Sequence, residues 1–285
     1  MQPIQIKSLS QIENEEILNC FNMAFSDYSI PFWLSLEELE IKLHSESVAK
    51  SISVGAFKEN KLIGFVLHGK RSLQGVRTAY NAGTGMIPKE RGQGVTQKMY
   101  EFIRPILKQE GFKTVFLEVI STNISAISVY EKVGFKKRRH LSCFKGKPNI
   151  PRVNTEVRII ERTIGDFDTI TPFGEVQPTW QNSRETILKL GDSVRYFLAF
   201  LGNDICGYCV FNRANHRILQ IAVKNEFRNR LIGTGLLHHV QREISEPISI
   251  INVDDEFKSI SRFFENRNMA KTLGQIEMEL QLTND

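Results

Sequence analysis

The chain has 285 residues, 41% of them hydrophobic and 24% charged, which is the composition of an ordinary globular protein. The length suggests two domains. No run of about 18 apolar residues marks a transmembrane helix, and the start MQPIQIKSLSQIENEE lacks an apolar signal core, so a cytoplasmic protein is expected. The net charge of +5 is uneven: residues 1–150 sum to +7 and residues 151–285 to −2, so the basic first half suits a polyanionic partner, either nucleic acid or a phosphorylated cofactor.

In chain order, the first half offers a hairpin, SVGAFKE–NKLIGFVLHG, turning at Glu59-Asn60. A strand over 78–87 (TAYNAGTGMI) follows. An amphipathic helix then opens after RGQGVT, with Val95, Met99, Phe102, Ile103, Ile106 and Leu107 at helical period. Pro105 should kink or break that helix. A strand over 114–120 and a short helix over 123–133 come next. The run Lys136, Lys137, Arg138, Arg139 reads as a solvated strand or turn edge. KGKPNIPRVN (145–154), with two prolines and no periodicity, reads as a linker. The second half repeats the order: a hairpin turning at Gly202-Asn203, a strand over 217–223, a helix after RNRLIGTG, a strand over 247–253 and a helix over about 257–267.

The repeat has two landmarks. Arg91 and Arg228 are 137 residues apart, and Tyr130 and Phe264 are 134 apart. This indicates one duplicated domain rather than a short-period solenoid. Each half reads strand, helices, strand, strand, strand, helix, strand, helix, strand, a mixed α/β domain. The expected bounds are 1–147 for the first domain, 148–154 for the linker and 155–285 for the second domain. The four cysteines are too few for a disulfide scaffold. Cys206 and Cys209 form a CxxC inside a strand-like run, where their side chains would point to opposite faces, and are read as structural. The six histidines have no metal-ligand spacing, so no metal is expected.

The strand–RxxGx–helix unit carries the chemistry. A helix N-terminus presents unpaired N–H groups and the positive end of its dipole, which suits a diphosphate. Gly94 permits close backbone approach, and Arg91 can offer a bidentate contact to a phosphate oxygen. The unit lacks the Lys-Ser/Thr of a P-loop and the GxGxxG of a dinucleotide fold.

RGQGVT, at Arg91 and Gly94 with Thr96 in place of a small residue, together with LEVISTNISAISVYEKVGF (117–135), resembles the GNAT superfamily of acyl-CoA-dependent N-acetyltransferases. The resemblance covers about residues 1–147. It implies a mixed, mostly antiparallel sheet flanked by helices in each of two tandem GNAT-like domains. It also implies acetyl-CoA as cofactor, held by Gly85, Met86, Ile87, Arg91, Gly92, Gln93, Gly94, Val95, Thr96 and Asn123. A backbone N–H near Met86 would polarise the thioester, Tyr130 would protonate the leaving thiolate, and Glu118 would accept the amine proton, directly or through water. Asp27 and Tyr28 fall where acceptor-binding residues are expected. Tyr80 and Asn81 lie near the usual base position but are poor bases. The second half resembles the family less: Leu231 replaces the key glycine although Gly233 is retained, Phe264 replaces tyrosine, and Asn268-Met269 replace Gly-Phe. It is therefore expected to be degenerate.

The function expected is acetyl transfer from acetyl-CoA to a primary amine, and neither a nucleic-acid nor a membrane partner is expected, since the chain shows no nucleic-acid recognition motif and no membrane segment. The acceptor is read as a small molecule, with a protein N-terminus or lysine as the other option. The alternative reading is a non-catalytic acyl-CoA-binding or regulatory module on the same fold. No pattern in the chain defines an oligomeric state.

Overall fold

The computed structural model describes residues 3–27, 33–163 and 176–282. The chain divides into two compact units, Met1–Arg138 with Ile276–Asp285 (unit 1) and Arg139–Gln275 (unit 2). The bounds differ from the expected 1–147 and 155–285 because two strands pass from one unit into the other.

Unit 1 contains β1 (Gln5–Ser8), α1 (Asn14–Ala24), α2 (Leu36–Ser45), β2 (Val54–Lys58), β3 (Lys61–Leu73), β4 (Val76–Met86), α3 (Val95–Gln109), β5 (Thr114–Ile120), α4 (Ile124–Val133) and the start of β6 (Lys136–Gly146). Unit 2 contains the rest of β6, then β7 (Val157–Arg162), α5 (Arg184–Leu190), β8 (Val194–Leu201), β9 (Asp204–Asn212), β10 (Arg217–Val223), α6 (Ile232–Glu243), β11 (Ile248–Asp254), α7 (Lys258–Glu265) and the start of β12 (Ala270–Gln281). In unit 1 the strands run β1-β2-β3-β4-β5 and end on the last part of β12. In unit 2 they run β6-β11-β10-β9-β8-β7.

Local chemistry explains several element ends. Ser35 and Glu38 form a capping box at α2, and Asn123 caps α4 by accepting from the Ala126 N–H at 3.1 Å. Glu59 and Asn60 take φ of 51° and 61°, which closes the β2–β3 hairpin in two residues. Among the helix residues expected to face inward, Val95, Met99, Ile103 and Leu107 are buried, whereas Phe102 is exposed. Helix α3 runs on through Pro105 without a break. That proline is exposed, so the carbonyl it deprives of a donor lies on a face that water reaches.

Cys206 and Cys209 do not face opposite sides. The β8–β9 register shifts between Ala199 and Phe200, which leaves Cys206 as an extra residue in β9. The bulge turns both thiols into one apolar cluster with Phe197, Phe211 and Leu236. Both are free and buried. The basic run is also paired: Arg138 donates to Glu277 at 2.5 Å and Arg139 to Asp254 at 3.0 Å.

His68 on β3 is fully buried. Its Nδ1 donates to the Ile52 carbonyl at 2.9 Å, and its Nε2 has no hydrogen-bond partner among the described residues. Burial lowers its pKa from 6.5 to about 4. Between these values the unfolded chain binds a proton that the folded one refuses, so unit 1 loses stability as pH falls through that window. Urea unfolding at pH 7 and pH 4.5 should differ by roughly 2–3 kcal/mol from this group. The difference should shrink in His68→Gln. An equal pH dependence in that variant would assign the effect elsewhere.

Candidate active site

Strands β4 and β5 are parallel and pair only at Thr78–Thr114, Ala79–Val115 and Tyr80–Phe116. Beyond Tyr80 the two strands part. The β3–β4 register shifts at the same place: His68 faces Asn81 and Leu67 faces Gly83, so Ala82 is a bulge. The bulge changes which side chains face which helices. An added Cβ at Gly85 would meet Phe65 at 2.6 Å and Ala24 of α1 at 2.9 Å, so Gly85 lies against α1. Asn81 instead reaches α3, with its Nδ2 donating to the Tyr100 hydroxyl at 2.8 Å and to Thr84 Oγ1 at 2.8 Å.

The strand end continues into the phosphate-type loop. The Ile87 N–H is taken by the Ile63 carbonyl at 3.0 Å. Strand alternation therefore turns the Met86 N–H toward the unpaired side. Gly92 and Gly94 have φ of 78° and 68°, a left-handed conformation for which glycine carries no steric cost. An added Cβ at either would meet nothing within 4 Å among the described residues. Gly94 is the N-cap of α3, and its carbonyl accepts from the Lys98 N–H at 3.2 Å. Gly92, Gln93 and Gly94 are exposed, Thr96 is half-buried and Val95 is buried. Between α3 and α4 lies a cavity of about 470 Å³, lined among others by Tyr100, Arg104, Lys108 and Lys132.

Arg91 is placed differently from its expected role. Its guanidinium grips Asp27 bidentately at 2.7 and 2.9 Å and also donates to the carbonyls of Ala24 and Met86. The arginine hydrogen bond holds the Asp27 carboxyl below its usual pKa. Arg91 and Asp27 thus form a clamp between the end of α1 and the end of β4. Local patterns could not reveal it, since the two lie 64 residues apart. Tyr28 lies outside the described residues.

Glu118 projects from β5 and Tyr130 from α4. The Tyr80 hydroxyl donates to Glu118 Oε2 at 2.5 Å. Glu118 is half-buried against Tyr80. Tyr130 is buried, with its ring edge-on to Tyr100 at 6.4 Å and to Phe135 at 5.7 Å. Asn123 lies at the start of the same helix, with its side-chain oxygen engaged in the cap. Tyr100 and the Asn81 bond to it were not foreseen. The signal available was a tyrosine adjacent to the apolar stripe of α3.

Unit 2 repeats the loop with other residues. Asn229 and Leu231 take φ of 62° and 59°, matching Gly92 and Gly94, and Leu231 is the N-cap of α6. Arg228 Nε donates to the Val223 carbonyl at 3.4 Å, as Arg91 does to Met86. Strands β10 and β11 pair only at Arg217–Ser249 and Ile218–Ile250, so they part as β4 and β5 do. The crevice between α6 and α7 is filled. An added Cβ at Gly233 would lie 3.0 Å from the Phe263 ring. The Arg267 guanidinium sits over that ring at 4.0 Å and donates from Nε to Thr234 at 3.0 Å.

A duplicated mixed α/β unit with diverging central strands above a left-handed loop and helix N-terminus defines the tandem acetyltransferase class. The sequence profile of the acetyltransferase (GNAT) family matches residues 11–135 and 163–265, and the chain belongs to that family. Its fold is similar to a GCN5-related N-acetyltransferase from Sphaerobacter thermophilus, with a TM-score of 0.71 at 15% identity, covering 100% of this chain and 98% of that one. It is also similar to a tandem GNAT protein from the clavulanic acid biosynthesis pathway, with a TM-score of 0.68 at 11% identity, covering 99% and 100%. A third similar structure is a GCN5-related N-acetyltransferase from Kribbella flavida, with a TM-score of 0.63 at 14% identity, covering 98% and 72%. No curated protein matches the chain significantly by sequence. Among the described residues no helix is long and apolar enough to cross a membrane, and no cluster of His, Cys, Asp and Glu suits a metal.

Proposed function

We propose that unit 1 transfers an acetyl group from acetyl-CoA to a primary amine, with a small molecule as acceptor. The observation that carries this reading is the parting of β4 and β5 beside an open, glycine-bearing loop, with a carboxylate and a tyrosine on its two sides. The residues fit the cofactor. The N–H groups of Gly92, Gln93, Gly94, Val95 and Thr96 would hold the diphosphate, and Gly85, Met86 and Ile87 would border the acyl arm. Arg91 would act by fixing this loop rather than by touching phosphate.

Bound there, acetyl-CoA supplies a thioester whose carbonyl carbon is open to a neutral amine. The Met86 N–H stabilises negative charge on the carbonyl oxygen, a contribution of roughly 2.7–4 kcal/mol in comparable sites. Glu118, on the Tyr80 side, takes the amine proton directly or through water. Tyr130, beside Tyr100 and α3, gives its hydroxyl proton to the thiolate that leaves. Base and acid on opposite sides of the parting strands keep the two proton transfers apart. Asn123 fixes the start of α4 and so the placement of Tyr130, and Asp27 fixes Arg91.

The test is thiol release from acetyl-CoA across a panel of primary amines. Acetyl-CoA-dependent thiol release with at least one amine supports the reading. Tight binding of acetyl-CoA with no release from any amine would favour a non-catalytic acyl-CoA-binding module. The filled α6–α7 crevice supports a single site, so calorimetry with CoA should give one equivalent per chain. Two equivalents would overturn the assignment of unit 2 as non-binding.

A further inference from the structure

We propose that Tyr80 is a positioning residue that holds the Glu118 carboxylate, through a hydrogen bond to Oε2, in the orientation and charge state that proton transfer from the acceptor amine needs. The inference rests on the assignment of Glu118 as the proton acceptor. Tyr80 pairs with Phe116 at the last rung before β4 and β5 separate. Glu118 lies two residues further along β5, on the same strand face as Phe116. It is therefore the first side chain on that face with no β4 backbone opposite it. The Tyr80 hydroxyl reaches forward across this point and donates to it at 2.5 Å.

The surroundings keep the tyrosine in its donor form. Tyr80 is buried, and three carboxylates face it: Glu118 from β5, Glu46 from the turn after α2, and Glu277 from β12. Glu46 is bridged by Lys42 at 2.7 Å and Glu277 by Arg138 at 2.5 Å. Burial first, and then these negative charges, raise the Tyr80 pKa well above its ordinary value. The hydroxyl thus stays protonated wherever Glu118 is ionised. A donor fixed on the ionised form of an acid lowers that acid's pKa and selects one rotamer. The hydrogen bond thus fixes the Glu118 carboxylate at the point where β4 and β5 separate.

The experiment compares wild type, Tyr80→Phe and Glu118→Gln. Carbon-13 NMR of labelled glutamate carboxyls, with the Glu118 signal assigned by its loss in Glu118→Gln, reads the titration midpoint directly. In Tyr80→Phe that midpoint should rise by about one pH unit. The acid limb of kcat/KM for thiol release should move up equally, with the rate recovering at high pH and the KM for acetyl-CoA unchanged. An unmoved midpoint, or a loss of activity equal at every pH, would overturn the proposal. Should Tyr80→Phe fail to fold, 3-fluorotyrosine at position 80 keeps the ring and hydroxyl but donates more strongly, and the Glu118 midpoint must then fall. A midpoint that stays put there would also overturn it. The NMR midpoint decides on Tyr80 whether or not any amine supports turnover. Absent thiol release in wild type counts only against the acyl-transfer reading.

Discussion

Ending the chain at residue 150 is expected to yield aggregate rather than a folded first unit. The fragment retains every element that the first half encodes, yet it lacks residues Ile276–Asp285, which complete unit 1. Ile276, Met278, Leu280 and Leu282 from that segment are all buried. The Leu282 N–H donates to the Lys113 carbonyl at 2.8 Å, and Glu277 receives Arg138. Burying an aliphatic side chain is worth about 1.5–3 kcal/mol, so four together contribute about 6–12 kcal/mol. That is comparable to the whole stability of a typical domain. The truncation also bares the edge of β5, and an unprotected apolar edge strand promotes association. Size-exclusion chromatography and circular dichroism of the fragment check this. A monomeric, folded fragment with wild-type turnover would show that β12 is dispensable to unit 1.

Replacing Tyr130 by phenylalanine is expected to lower kcat by about 100-fold or more while leaving the fold intact. The ring contacts with Tyr100 and Phe135 are edge-on contacts that phenylalanine preserves. Only the hydroxyl is lost, and with it the proton for the leaving thiolate. The effect should fall on kcat, with little change in the KM for acetyl-CoA, because the interaction forms as the thiolate departs. Unit 2 carries the corresponding change naturally. Phe264 is fully buried there, packed on Phe144 at 5.6 Å and on Phe263 at 5.2 Å. Steady-state kinetics of the variant with an amine found in the panel is the measurement. A kcat within about threefold of wild type would leave Tyr130 as a core aromatic with no part in proton transfer.

The order of elements, the duplication and the loop at Gly94 were legible in the sequence because each rests on short-range physics. Helical and strand periods repeat every few residues, a left-handed turn needs glycine or a tolerated substitute, and a helix cap needs a side chain a few positions away. The same short range explains why Leu231 was recognised as a departure. Its cost is one strained residue, which the surrounding unit 2 loop overrides by holding φ at 59°. Tertiary structure alone decided the rest. The Arg91–Asp27 clamp joins residues 64 apart, Tyr80 meets Glu118 across 38, and unit 1 closes with a strand from the far end of the chain. None of these has a local pattern, because a side chain's partner across a sheet is set by register. Here a single bulged residue, Ala82 in β4 or Cys206 in β9, is enough to change which face a side chain serves.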